Sequence, residues 1–384
     1  MPHSPAVTLA QSLIRCPSVT PKDEGALGVL EAALQGVGFA THRLVFSHPG
    51  TPDVDNLFAK IGEGRPHLVF AGHTDVVPPG DIARWTHDPF AGAIDTGVLY
   101  GRGASDMKGA IAAFAAAAID HVREHGAPRG AISFLITGDE EGPSINGTAK
   151  LLDWARDAGE TFDHCIVGEP TNVDALGDMM KIGRRGSLNG RVTVFGKQGH
   201  VAYPERAANP VPVIARIVAA LSAHRLDEGT AHFVRSNLEV TSIDVGNPAV
   251  NVVPAQARAQ FNIRFNDAWT PERLRTHIEA LIHDAAQGAR VEISFDPCNA
   301  VSFLTQPGAF TGLVAQAVRE VTGRDPQLST TGGTSDARFI TRDCPVLEFG
   351  LLNTSIHAVD ENAAVADIDA LTEIYRKVLN AYFS

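Results

Sequence analysis

At 384 residues with 44% hydrophobic content, the chain is long enough for two or three domains with real cores. A formal charge of −12 argues against a general affinity for nucleic acid or anionic membrane surfaces, though a local arginine cluster could still take an anionic substrate. Residues 1–20 lack a basic stretch followed by a long apolar one, no run approaches the ~18 apolar residues of a membrane span, and Cys16, Cys165, Cys298 and Cys344 are scattered, so a reduced cytoplasmic protein is expected.

Residues 1 to about 178 alternate helix-like and strand-like segments. Leu27, Leu30 and Leu34, with Ala33 and Val37, give one helical face. Residues 68–71 read as strand, 107 to about 123 as an Ala-rich helix, 131–137 as strand, 151–158 as a short helix and 164–167 as strand. Short apolar runs bounded by Gly or Pro read as buried parallel strands, so the pattern is α/β with a mostly parallel mixed sheet flanked by helices. From about 180 the rhythm changes. Residues 187–196 look like a strand, Asn209-Pro210 opens a helix carried by Ile214, Ile217, Val218 and Leu221, and 233–245 and 251–265 read as strands. Thr270-Pro271 opens another helix with Leu274, Ile278, Leu281 and Ile282 on one face, and 291–295 closes as a strand. That order, β-α-β-β-α-β, is the ferredoxin-like arrangement. The first rhythm then returns, with a helix at 310–322, a strand at 346–349 and a terminal helix at 368–382. The economical account is one catalytic domain in two pieces, 1–179 and 296–384, with a ferredoxin-like domain inserted at 180–295.

Metal-type side chains collect at the ends of the apolar runs, and residues just past the carboxyl ends of parallel strands converge on one crevice. His73-Thr74-Asp75 leaves the 68–71 run; side chains two apart in extended chain point the same way, so Asp75 can support the second imidazole nitrogen of His73. Residues 101–109 place Asp106 at the start of a helix; the stretch lacks the ending of a phosphate-binding loop, and a carboxylate there could bridge two cations. Gly138-Asp139-Glu140-Glu141-Gly142 sets three carboxylates in a row, costly at a strand end unless cations neutralise them. One Glu can ligate while its neighbour takes a proton from water whose pKa a metal has lowered to about 7. Glu169-Pro170-Thr171 follows another run, and residues 356–361 bring His357. Singly, each is an ordinary turn or loop residue. As a set, His73, Asp106 and Glu169 with Asp106, Glu141 and His357 make two sites sharing one Asp, suited to zinc, with cobalt or manganese as alternatives.

These segments, running from Pro17-Ser18-Val19-Thr20-Pro21 to His357, resemble the dinuclear metallohydrolases that include aminoacylases and carboxypeptidase G. Within that family, residues 137–143, 183–188, 199–204 and 330–336 resemble the branch that removes the succinyl group from N-succinyl-L,L-2,6-diaminopimelate. The resemblance implies a catalytic α/β domain, an inserted lid that forms a homodimer, Glu140 as general base, and His200 reaching the partner subunit's active site to stabilise an oxyanion; Asp75, as the support of His73, is counted with them as a catalytic residue. The resemblance further implies substrate contacts from Arg184, Ser187, Tyr203, Asn251, Arg264, Gly333 and Thr334. Val250 departs from the family pattern, where a second Asn is expected. Physically, the forked guanidinium groups of Arg184 and Arg264, and less decisively Arg185, suit a substrate carrying several carboxylates. Two rivals remain: another amidohydrolase with the same site, such as a deacetylase or dipeptidase, and a non-catalytic metal-dependent binding protein. Against the second stands Glu140, which the metals do not need.

Overall fold

The computed structural model describes residues 3–384. It forms two compact units. One runs through Ile182, resumes over Thr305–Ser329 and ends with Ser335–Ser384; the other comprises Gly183–Leu304 and Thr330–Thr334.

In the first unit eight strands make a mixed sheet, in spatial order Ala40–His48, Thr51–Gly62, Ala131–Thr137, His67–His73, His164–Val167, Val346–Glu348, Met179–Lys181 and Gln327–Ser329. The four from Ala131–Thr137 to Val346–Glu348 run parallel, with Leu68 facing Ile132 on one side and His164 on the other, and Val346 facing Cys165. Every residue of His67–His73 and Ala131–Thr137 is buried, which is why both read as unbroken apolar runs. The strand Ala40–His48 is missed by sequence reasoning for the opposite reason. It lies at the sheet edge beside Thr51–Gly62, and its residues are exposed or half-exposed, so its apolar stretch is only Leu44-Val45-Phe46.

Helix Lys108–His125 packs against Pro5–Ile14 and Val365–Tyr382. All of its residues from Lys108 through Ala118 are buried, seven of them Ala, and these small side chains let neighbouring backbones come close. The Phe114 ring stacks on Phe70 at 4.4 Å and meets Phe134 at 5.4 Å and Tyr375 at 5.2 Å edge-on. This cluster ties two central strands to two helices. Truncating Phe114 would cost about 3–5 kcal/mol.

The second unit has four antiparallel strands in spatial order Asn237–Asp244, Gln256–Phe265, Gly186–Phe195 and Val291–Phe295, with helices Val211–Ala223 and Pro271–Ala286. The chain order is βαββαβ. Leu188, Val192 and Val194 pack with Ile214, Ile217, Leu274, Ile278 and Ile282 in its core. Thr270 caps the second helix by accepting from Arg273 N–H, with Pro271 in the first turn. The first helix starts at Val211, with Asn209 Oδ1 accepting the Val211 N–H. The run expected over 251–265 is two pieces: Val252–Val253 pairs with Gly199–His200, and the ladder strand begins only at Gln256. Pro254, which has no N–H to donate, lies between them. The run expected from 233 starts at Asn237. Both unit junctions also fall later than the expected 179/180 and 295/296. Met179–Lys181 belongs to the large sheet, and Phe303–Leu304 pairs with Gly183–Arg184.

Candidate active site

Four adjacent parallel strands of the first unit bring the donors to one edge. His73 ends His67–His73, Glu140 and Glu141 follow Ala131–Thr137, Glu169 follows His164–Val167, and His357 lies on the loop after Val346–Glu348. Asp106 comes just before helix Lys108–His125. Its two oxygens face different imidazoles: Oδ1 is 3.2 Å from His73 Nε2, and Oδ2 is 3.4 Å from His357 Nε2. Glu169 Oε1 lies 3.7 Å from His73 Nε2, and Glu141 Oε1 lies 2.8 Å from His357 Nε2. Ligand atoms of His73, Asp106 and Glu141 fall within 4.8 Å of one another, and so do those of His73, Glu140 and Glu169. Glu140 therefore sits among the same donors. Ligands about 2.0–2.1 Å from a tetrahedral ion lie about 3.3–3.4 Å apart, and the four imidazole–carboxylate separations bracket that value. The donor set fits divalent cations.

His73 Nδ1 donates to the main-chain carbonyl of Asp75 at 2.9 Å, leaving the Nε2 lone pair toward Asp106 and Glu169. The expected carboxylate support differs in detail. Asp75 Oδ1 is 3.6 Å from His73 Nδ1, while its oxygens accept the N–H groups of Glu140 at 3.3 Å and Glu141 at 3.1 Å. Asp75 thus fixes the turn that carries both Glu residues. Asp139, the third carboxylate of that run, is not a candidate ligand: its Oδ2 accepts the N–H groups of Ile145 and Asn146, both at 2.8 Å.

Acids and imidazoles packed this closely share protons when no cation neutralises them. Burial opposes a charged His73, but the Asp106 hydrogen bond and the charges of Glu140, Asp106 and Asp75 outweigh it and hold the imidazole well above its ordinary pKa. Hydrogen bonds to Asp106 and Glu141 raise His357 to about 10. Burial works against an ionised Asp106, yet His357 and His73 hold it below the usual carboxylate range. Glu140 moves the other way, pushed well above its ordinary value by burial and then by the Glu169 charge. Burial raises Asp75 to about 6, against the pull of His73 and of the two backbone N–H groups. Divalent cations would displace these protons.

The model of peptidase family M20/M25/M40 matches residues 69–381. The chain belongs to this family. Its sequence is 63% identical to succinyl-diaminopimelate desuccinylase of Afipia carboxidovorans, over 99% of this chain and 100% of that relative. Among solved structures it is similar to aminopeptidase PepT from Bacillus cereus (TM-score 0.79, 19% identity, covering 99% of this chain and 98% of the other). It is also similar to the YXEP protein of Bacillus subtilis, described as a dinuclear metal binding peptidase from the M20 family (TM-score 0.73, 14% identity, covering 98% and 97%). At those identities the two structures speak for the fold.

Two buried residues of this M20-family chain escape sequence reasoning. Glu361 accepts hydrogen bonds from Arg102 and from three N–H groups of the Asp106 loop. Ser18, within the 17–21 segment, donates its hydroxyl to the Thr74 carbonyl at 2.6 Å and so braces the stretch after His73. Neither carries a local signal, because their partners are far away in sequence.

The remaining expected residues lie in the second unit. Arg184 is buried and donates to the Gly333 carbonyl at 3.3 Å. Ser187 faces Arg264 across the ladder, and its hydroxyl accepts from Asn262 Nδ2 at 3.0 Å. Arg264 makes no side-chain hydrogen bond or ion pair among the described residues, and burial lowers its pKa. Arg185 donates to Asn237 Oδ1 at 2.8 Å, so it has a structural partner, and it feels the Arg264 charge after burial. His200, Tyr203 and Asn251 share an exposed segment in which Val201 N–H donates to Asn251 O at 3.1 Å. Val250 is 100% exposed. Gly333 is exposed and Thr334 half-buried.

Proposed function

We propose that this enzyme uses two divalent ions, zinc with cobalt or manganese as alternatives, to hydrolyse N-succinyl-L,L-2,6-diaminopimelate to succinate and L,L-diaminopimelate. The observation that carries hydrolysis is the shared carboxylate of Asp106, one oxygen toward each of two imidazoles, with a further carboxyl, Glu140, beside His73 and Glu169. The substrate follows the name of the relative that is 63% identical along its whole length.

In this reading His73, Asp106 and Glu169 would hold one ion, and Asp106, Glu141 and His357 would hold the other. Bound there, the pair supplies an activated water and Lewis acidity toward the amide carbonyl. Glu140 takes the water's proton and returns it to the leaving amine; a carboxyl whose proton affinity is raised by burial and Glu169 suits both steps. Asp75 keeps Glu140 and Glu141 in place through their N–H groups.

Substrate recognition falls to the second unit. Arg264, half-buried and without an anionic partner among the described residues, is suited to a substrate carboxylate, and Arg184 offers a second fork. Ser187, Tyr203, Asn251, Gly333 and Thr334 complete the recognition set. The exposed segment of His200 and Tyr203 supports a homodimer in which His200 of one copy polarises the carbonyl bound by the other. A cytoplasmic location fits a biosynthetic role; among the described residues no helix is long and apolar enough to cross a membrane.

The test is turnover by purified protein on N-succinyl-L,L-diaminopimelate beside its N-acetyl analogue, with zinc titrated in. Zinc-dependent release of succinate, at far higher kcat/KM than acetate release, is expected. Equal or better cleavage of the acetyl compound would overturn the substrate assignment.

A further inference from the structure

We infer that Glu361 is a positioning residue that sets the bridging geometry of Asp106 by tying the Asp106 loop to the His357 loop. The inference rests on the reading of Asp106 as the shared ligand. Glu361 is fully buried, at 0% exposure. Its Oε1 accepts the N–H groups of Ser105 and Asp106, each at 3.0 Å. Its Oε2 accepts the Gly103 N–H at 3.0 Å and Arg102 Nη1 at 2.8 Å. The Glu361 carbonyl also takes the Gly101 N–H at 2.9 Å.

Successive backbone N–H groups curled toward one point form a nest for an anion, and here the chain fills that nest with its own carboxylate. Such curling needs an unusual backbone. Gly103 supplies it at φ 88°, and a Cβ there would come within 2.9 Å of Val76 Cγ1. Arg102, also buried, balances the charge and lies over the Trp85 ring at 5.2 Å. The loop therefore has little freedom to rotate Asp106.

The second consequence concerns distance. Glu361 stands on the same loop as His357, and that loop is pinned again where Asp360 accepts from Thr86 N–H at 2.7 Å and from its hydroxyl at 2.8 Å. His357 itself holds a left-handed backbone at φ 58°, which non-glycine residues keep only when their surroundings impose it. The 3.4 Å approach of His357 Nε2 to Asp106 Oδ2 is thus fixed by two loops that share one carboxylate. Nothing in the hydrogen bonding lets Glu361 touch substrate. Its action runs through Asp106.

The experiment compares wild-type protein with E361Q and E361A. Zinc affinity is measured by competition with a chromophoric chelator, site geometry by the visible absorption of the cobalt-substituted protein, and folding by thermal melting. Gln keeps the volume but turns an NH2 toward two of the four donors. Loss of an outer partner of a metal ligand weakens binding about 10–100-fold, and that loss is expected in both variants together with an altered cobalt spectrum. With zinc saturating, kcat should fall far more than KM changes. Zinc affinity within twofold of wild type and an unchanged cobalt spectrum, even with a lower Tm, would show a merely structural role and overturn the inference. Should E361A not fold, E361Q is read by the same criteria. Zinc affinity, the cobalt spectrum and the melt need no substrate, so failure of the wild-type enzyme to release succinate would sink the substrate assignment while leaving this result intact.

Discussion

Asp75→Asn keeps the size and shape of a side chain that is 0% exposed, but it turns one acceptor oxygen into an NH2 group. In the native site both oxygens are used, one by the Glu140 N–H and one by the Glu141 N–H. Whichever way the amide is turned, one of those N–H groups then meets a donor. A buried donor left without an acceptor costs about 1–3 kcal/mol, which corresponds to about a 5- to 150-fold loss in the population of the productive turn. The loss should appear in kcat/KM at saturating zinc, measured on the succinyl substrate beside a thermal melt. His73 donates to the main-chain carbonyl of residue 75, which the substitution leaves in place, so two ions per chain should remain at saturation. Activity within twofold of wild type would refute the account of the turn. Loss of one ion would show instead that the carboxylate supports His73 directly.

Glu140→Gln should retain both ions yet lose about 10²–10⁴-fold in kcat, since it removes proton transfer alone; normal turnover would exclude Glu140 as the base. Arg264→Ala should weaken cleavage of the succinyl substrate much more than that of an acetyl analogue, and equal losses on both would remove the carboxylate-recognition argument. Zinc uptake at about pH 7 should release protons, because His73 and His357 are held protonated in the metal-free protein; calorimetry in buffers of different ionisation enthalpy gives the count. The His357 pKa is raised on folding, so its stabilisation is full below the ordinary histidine pKa and is lost as pH climbs through about 10. Metal-free protein should accordingly melt lower at about pH 10.5 than at about pH 7, and a flat profile would contradict the Asp106–His357–Glu141 pairing.

How much of this was readable without coordinates depended on where each residue sits relative to a buried strand. His73, Glu140, Glu141 and Glu169 stand at or just past runs buried along their length, and such runs betray themselves by having no polar alternation. Asp106 and His357 carry no such marker and became legible only as members of a balanced set. The Asp75 reading named the right residue but the wrong oxygen. Spacing tells which way a side chain leaves the backbone, but not that a main-chain carbonyl lies nearer to His73, nor that two N–H groups compete for the carboxylate. Glu361 was out of reach altogether, since the amides it binds lie about 255 residues earlier in the chain. The outer strands Ala40–His48 and Gln327–Ser329 were missed because residues there are largely exposed and their apolar stretches are at most three residues long.

The alanine-lined helix Lys108–His125 has a consequence for how the protein can change over time. Asp106 stands just ahead of a helix whose residues from Lys108 through Ala118 are all buried, so its aim is inherited from packing deep inside. Even one methyl too many at Ala112 or Ala115 has nowhere to go and must shift the helix axis, carrying the aspartate with it. Drift that an ordinary interior would absorb as a small loss of stability would here surface as lost chemistry. The interior of the catalytic unit is therefore open to selection through its activity as well as through its folding.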